Sequence, residues 1–436
     1  MSLGTIVLVI VVLAVVVFGI GYVWWKTRVQ AQQPQFGTAP VIPAPRPQGA
    51  VPMLKMPTAR GWQDGAVPRV AAGLSVSAFA RDLAHPRWIY ALPNGDVLVA
   101  ESATIPRKID SFMDFAMNRT MKRAGATYPS ANRITLLRDA DGDGVPEIRE
   151  IFLKDLYQPF GMALIGSTLY VANSNSVVAF PYEDGQTSIS AQGKTIYTMK
   201  DGGHWTRNLI PCTDGSKLYV SIGSLTNIAD EGFKAEEGRA CIVEIDLASG
   251  ESREFAGGLR NPVGMAWGPA GQLWTVVNER DGLGDETPPD YLTSVEDGGF
   301  YGWPYSYWGG TVDDRVQPQQ TDLVARAKAP DYALGGHTAS LGLCWMEKDV
   351  LPGLPAGMVI GQHGSWNRSR LSGYKVILVP FENGAPTGAP IDILTGFLSP
   401  DEKYSNGRPV GVTIAGDGAL LVADDVGHVV WRVTAG

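Results

Sequence analysis

Cysteine is scarce: the 436 residues hold three, Cys212, Cys241 and Cys344, far apart and without metal-ligand spacing. A thiolate metal centre is thereby excluded, and one disulfide at most is possible. Positive charge is also short, 36 Lys and Arg against 44 Asp and Glu, a formal net charge of −8 with no basic tract. Nucleic acid is excluded as a partner, because its binding rests on neutralising phosphates. Long helical periodicity is missing from the body of the chain. In its place stand 52 glycines and 30 prolines, which argue for many turns. With 44% hydrophobic residues a sizeable core is within reach. Length alone suggests two or three domains, but large all-β folds exceed that prior.

Charge is absent altogether from Leu3 to Trp25, a run rich in Val, Ile and Leu. At about 1.5 Å per helical residue it is long enough to cross a bilayer. Tyr22, Trp24 and Trp25 stand at its far end, where aromatic side chains favour the membrane interface. It is too long for an ordinary signal-peptide core, and Gln30-Ala31-Gln32 is a poor cleavage site. Residues 1–25 are therefore expected to be an uncleaved transmembrane anchor. Lys26 and Arg28 follow the run and no basic side chain precedes it, which by charge would place the body in the cytoplasm. Residues 26–60 carry seven prolines and read as a semi-extended linker holding the body off the membrane.

Residues 61–436 repeat a short unit, a Gly turn feeding an apolar strand. The copies are Asn94–Glu101, Gly166–Asn173, Asp214–Ser221, Ala270–Val277, Ala356–Gly361 and Asp417–Asp424. Six such units without long helices between them predict an all-β, six-bladed β-propeller with loop insertions. A pair of β-sandwiches is the alternative. The longest interval contains an insertion around residues 281–340, expected on the working face. Ser111–Gly125, with Phe112, Phe115 and Met121 on a short helix, reads as a packing insert.

Three stretches carry chemistry. His204 follows two glycines and precedes Arg207 and Asn208, setting a titratable imidazole beside a fixed cation at the start of a strand. Asp139, Asp141 and Asp143 alternate and are closed by Gly144, with Glu147 downstream, a hard-oxygen pattern that suits Ca²⁺. Arg260 and Asn261 precede another strand, followed by the acidic, Gly-rich stretch Asn278–Glu286 and the aromatic run Gly298–Tyr305, expected to stack on a sugar or flat cofactor.

With these segments the body resembles the quinoprotein sugar dehydrogenases, the soluble aldose and sorbosone dehydrogenase type that uses pyrroloquinoline quinone (PQQ). The resemblance rests on Gly203-His204 with Arg207-Asn208, Leu259–Pro262, Asp285-Glu286, Gly299–Pro304, Gly361–Arg368 and Gly407–Pro409, in that order over most of residues 80–432. Ala333–His337 and His363–Arg368 are most similar to the sorbosone branch. The resemblance implies His204 as catalytic base and Arg260 as the cation polarising the quinone carbonyl, with Asn261 beside it. It also implies Lys375, Arg368 and Arg408 as clamps for the cofactor's three carboxylates, with Arg207, Asn208, His337 and His363 lining its pocket. A second Ca²⁺ would bridge quinone and protein. Where glucose dehydrogenase relatives present Gln-Gly-Pro, this chain reads Glu279-Arg280-Asp281, so carbonyls and carboxylates there would hold the ion. Asp285 and Glu286 match acids that support the site or bind structural calcium. His85 and His428 are expected to be structural, while Arg87 is expected to face the central channel.

The function so implied is membrane-anchored, PQQ- and Ca²⁺-dependent oxidation of an aldose or sorbosone-like sugar, passing electrons to a quinone or cytochrome. The family's extracytoplasmic chemistry overrides the charge argument and places the body in the periplasm of a bacterial inner membrane. A Ca²⁺-dependent lactonase on the same fold and a non-catalytic sugar- or protein-binding propeller are the alternatives.

Overall fold

All six Gly-led repeats become the second strand of a four-stranded antiparallel blade. In a computed structural model, residues 2–27, 35–46, 54–105 and 112–436 are described. Blades 1, 2 and 3 open with Pro86–Ala91, Met162–Ile165 and Leu209–Pro211; blades 4 and 5 open with Pro262–Trp267 and Ser340–Met346. The sixth combines Pro409–Ile414, Leu420–Asp424 and Val429–Ala435 with the early strand Leu74–Ala80, so both ends of the body share one sheet. The expected six-bladed propeller is thus observed, and the sandwich pair is not.

Alternation with period two explains how the blades stack. In blade 1, Leu98 and Ala100 join the core shared with blade 2, whereas Val97 and Val99 face the core shared with blade 6. Six apolar cores result, one between each adjacent pair. The first strands pack side by side around the axis, blade 4 against blades 3 and 5, and blade 6 against blades 5 and 1. Their approach is close enough to exclude side chains at some positions. A Cβ on Gly342 would sit 2.0 Å from the Val410 carbonyl oxygen, and one on Gly264 would sit 2.6 Å from Leu343.

The three cysteines are all free, so the one disulfide their number allows does not form. Helix α1 covers Leu3–Thr27. Yet among the described residues no helix is long and apolar enough to cross a membrane. The linker, finally, is no free spacer. Phe36–Gly37 pairs with the outer strand of blade 4, and Thr58–Ala59 pairs with Tyr404–Ser405. Between them Arg46 N donates to Leu283 O at 2.7 Å and Lys55 N to Trp366 O at 2.8 Å. Blade edges present unpaired backbone groups, and an extended Pro-rich segment is well shaped to satisfy them.

This strap ends in a clasp. The Trp62 indole donates to Asp424 Oδ2 at 2.7 Å, and Trp431 donates to the same oxygen at 3.1 Å. Asp424 Oδ1 accepts from the amides of Arg408 (2.8 Å) and Gly427 (2.7 Å). Trp62→Phe removes one donor and is expected to cost about 1 kcal/mol, whereas Asp424→Ala strands four donors and costs roughly 3 kcal/mol or more. Chemical denaturation of both variants checks the ordering; equal costs would refute the clasp.

Candidate functional site

The first strands all begin at one end of the propeller, and the residues that precede them surround a cavity of about 340 Å³. Blade 1 brings His85 and Arg87, blade 4 Arg260 and Asn261, blade 5 His337, and blade 6 Arg408. In these four blades the pairing of first and second strands slips just inside the rim, at Pro86/Trp88, Pro262/Met265, Ser340/Gly342 and Pro409/Val412. Such bulges re-aim side chains beside a site. The other contributions follow the second strands: Asn278, His363 and Asp425 each occupy the first position after one.

His204 borders the cavity from the loop before blade 3. Its Nδ1 lies 2.8 Å from the Ser224 carbonyl oxygen, which can only accept, so Nδ1 carries the proton and Nε2 keeps a lone pair. Burial, and next the Arg260 guanidinium, push His204 down to about 3, so it is neutral at pH 7. The fit is tight, since a Cβ on Gly223 would lie 2.3 Å from Asn261 Oδ1 and 2.6 Å from His204 Cβ. Arg260 is held by Glu279 O (2.8 Å) and Asn227 Oδ1 (3.0 Å), and its Nη2 stands 3.6 Å from Asp281 Oδ2.

Asp281 accepts from Asn367 Nδ2 at 2.6 Å and lies 3.3 Å from His337 Nδ1. Burial alone would raise its carboxyl, but His337 and Arg260 outweigh it and hold Asp281 at about 2. His337 answers in the opposite direction: burial lowers it, and the bond to Asp281 more than compensates. Asp290 takes the amides of Glu279 (2.9 Å) and Ala339 (2.8 Å), and burial raises it to about 6. On the far wall His363 Nε2 lies 2.8 Å from Asp425 Oδ2, an oxygen that the Arg87 guanidinium also grips. Arg408 spends two nitrogens on the carbonyls of His363 and Gly364.

Of the residues singled out in the sequence, His204, Arg260, Asn261, Glu279, Asp281, His337, His363 and Arg408 meet at the cavity, and Arg87 faces it as expected. Others do not. Arg207 is fully buried and braces its loop through the carbonyls of Thr206 (2.9 Å) and Lys200 (3.2 Å), while Asn208 Oδ1 accepts from the Leu209 amide at the start of its strand (2.9 Å). Lys375 opens the third strand of blade 5, paired with Asp392 at 2.7 Å, and does not line the cavity. Arg368 is spent on Glu286 and on Gly336 O (2.6 Å), and Asp285 holds Ser369, so this acid pair fastens a loop. Arg280 points away and secures the Pro304 and Ser306 carbonyls at 2.7 and 2.6 Å. The aromatic run is packing, with Tyr301 and Trp303 buried and the Trp303 indole bonded to Asn227 O at 3.0 Å. His428 bonds Leu83 O, as a structural histidine should, but His85 borders the cavity. Helix α2, Phe112–Arg123, was expected only to pack; its end, with Met121 and Ala124–Ala126, forms part of the cavity wall.

Asp139, Asp141, Asp143 and Glu147 do not line this cavity; they sit between the third and fourth strands of blade 1, with ligand oxygens within 4.8 Å of one another. Asn278, Asp290 and Asp425 escaped sequence reasoning. The repeat frame contained a signal for two of them, because the position after each second strand is where His363 also stands.

A model of the TrAA12-like family matches residues 133–290 and 311–435. A curated relative, the pyrroloquinoline quinone-dependent pyranose dehydrogenase of Coprinopsis cinerea, is 26% identical over 353 residues, covering 65% of this chain and 47% of its own length. The chain thus spans about half of that relative. Among solved structures, the calcium structure of Trichoderma reesei Carbohydrate-Active Enzymes Family AA12 superposes with a TM-score of 0.70 at 21% identity, over 87% of this chain and 99% of the other. The holo form of the Coprinopsis cinerea pyranose dehydrogenase PQQ domain gives 0.68 at 21%, over 87% and 100%. These two likenesses concern the fold, whereas the family match extends over more than half of the residues, and on it the chain belongs to the TrAA12-like family.

Proposed function

We propose that this protein oxidises a pyranose, aldose or sorbosone-like sugar with PQQ and Ca²⁺, using His204 as general base. One observation carries the reading: a neutral imidazole, its tautomer set by the Ser224 carbonyl, presents Nε2 to a cavity beside the Arg260 guanidinium. The pyrroloquinoline quinone dependence of the Coprinopsis relative and the calcium structure of the Trichoderma protein support the choice of cofactor and ion.

The residues present fit such a group. Arg87, Arg260 and Arg408 bring three guanidinium groups to one cavity, as a tri-carboxylate demands. Buried Asn261 Oδ1 and Arg87 Nε have no partner among the described residues. Asp281 supplies hard oxygens for a divalent cation, whereas the Glu279 carboxylate is turned to Arg280 (Oε2 to Nε 2.9 Å) and brings only its carbonyl to this side. When bound, PQQ supplies a carbonyl that accepts hydride. His204 Nε2 takes the proton from the hydroxyl being oxidised, and Ser224 O steadies the resulting imidazolium through Nδ1–H. Arg260, fixed by two carbonyls and Asn227, stabilises negative charge developing on oxygen at no cost in reorganisation. The Asp281–His337 pair keeps Asp281 ionised and aimed at the same space. Calcium at the Asp139–Glu147 turn is a separate part of the proposal and rests on its four converging carboxylates. Attachment to an inner membrane, with a periplasmic body and a quinone or cytochrome acceptor, rests on the uncharged run Leu3–Trp25 and on the family resemblance.

His204→Gln is expected to cut kcat by roughly 10²–10⁴ while leaving PQQ binding intact. Unchanged turnover would remove His204 from the mechanism, and no PQQ binding by wild type would bring forward the lactonase or the non-catalytic propeller. In cofactor-free protein His204 stays neutral from pH 7 to pH 5, because its folded value of about 3 lies below that window; an imidazole NMR titration centred near 6.5 would contradict this. Asp281→Asn is expected to weaken Ca²⁺-dependent PQQ binding, measured by fluorescence titration. Asp141→Asn changes only the thermal shift produced by Ca²⁺.

A further inference from the structure

His363 is more firmly constrained than a pocket-lining residue needs to be. Its amide donates to Ala339 O at 2.9 Å and its carbonyl accepts from Arg408 Nε at 2.9 Å. Its imidazole Nε2 faces the Asp425 carboxylate at 2.8 Å. Arg87 Nη1 is farther, at 3.4 Å, and an unprotonated Nε2 would set its lone pair against the carboxylate. Nε2 therefore carries the proton, and the lone pair belongs to Nδ1. Nothing among the described residues donates to Nδ1, and the ring, 16% exposed, borders the cavity.

Burial, then Arg408, push His363 down to about 3, which keeps the ring neutral. A neutral ring showing a lone pair repels a cofactor carboxylate and attracts a hydroxyl. The cavity thus holds two such acceptors, Nε2 of His204 beside blade 3 and Nδ1 of His363 on blade 5. One hydroxyl can be oxidised at the first; the second has no such partner in Arg260 and suits a hydroxyl that is only held. We propose that His363, oriented by Asp425, is a substrate-positioning residue whose Nδ1 accepts a hydrogen bond from a sugar hydroxyl other than the one oxidised. The proposal rests on the dehydrogenase reading, and it gives His363, expected to line the cofactor pocket, to the substrate instead.

The test compares wild type, His363→Gln and His363→Asn on a sugar substrate and its monodeoxy analogues. Gln can reach Asp425 but offers no acceptor at the Nδ1 position; the Asn amide oxygen lies there. His363→Gln is expected to raise KM roughly three- to tenfold on the full sugar with kcat little changed. On the one analogue lacking the held hydroxyl it should match wild type, and His363→Asn should recover most of the loss. An equal penalty on every analogue, or a collapse of kcat at unchanged KM, would overturn the proposal. A second readout needs no turnover: the ¹⁵N resonance of His363 Nδ1, unprotonated in the free protein, is expected to shift when sugar is added. A protonated Nδ1, or no shift at saturating sugar, refutes the assignment. Should wild type oxidise no sugar at all, the dehydrogenase reading fails, while this titration still decides the role of His363.

Discussion

The close approach of the six first strands around one axis is the constraint on which the rest of the molecule depends. Where Gly342 lies against the Val410 carbonyl there is no room for a methyl group. Strands that converge so tightly cannot also carry large side chains at the rim, so polar residues just outside them are thrown together above the axis. The bulges at Pro86/Trp88, Pro262/Met265, Ser340/Gly342 and Pro409/Val412 turn those residues toward a shared space. The site follows from how the sheet closes.

Burying so many charged groups in one place is costly unless each is paired, and the pairing has a consistent logic. Arg260 is tied to backbone carbonyls and stands near Asp281; Arg87 grips Asp425; His337 answers Asp281. The ties hold the groups in place without exhausting them. Among the described residues, Asn261 Oδ1 and Arg87 Nε, both of cavity-lining residues, keep unspent hydrogen-bonding capacity. Two histidines stay neutral by burial and neighbouring guanidiniums, yet their proton-bearing nitrogens differ, Nδ1 in His204 and Nε2 in His363. That difference arises from one partner being a main-chain carbonyl and the other a carboxylate carried by another blade.

Residue patterns show clearly which segments were legible. The Gly-led repeats are local, and each became the second strand of a blade because period-two alternation already specified both of its faces. Arg260, Asn261 and Arg408 stand directly before first strands and His204 in the loop leading to one, positions recognisable from neighbouring residues alone. Arg207, Arg368, Arg280 and Lys375 look equally cationic in the chain and are spent elsewhere, because a guanidinium's direction depends on carbonyls distant in sequence. The Pro-rich stretch before residue 60 reads as a spacer by composition, yet the unpaired edges of blades supplied it with partners.

The sequence by itself determined the propeller, its six units and the central place of His204 and Arg260, since these depend on local patterning and on residues adjacent to strands. Only the tertiary structure decided which charges share the cavity, that Asp425 and Asp290 belong to it, and that α2 walls it. The reason is physical: a residue's ionisation, tautomer and free valence are set by the atoms around it. Here those atoms come from blades separated by hundreds of positions, as with His85 and Asp425.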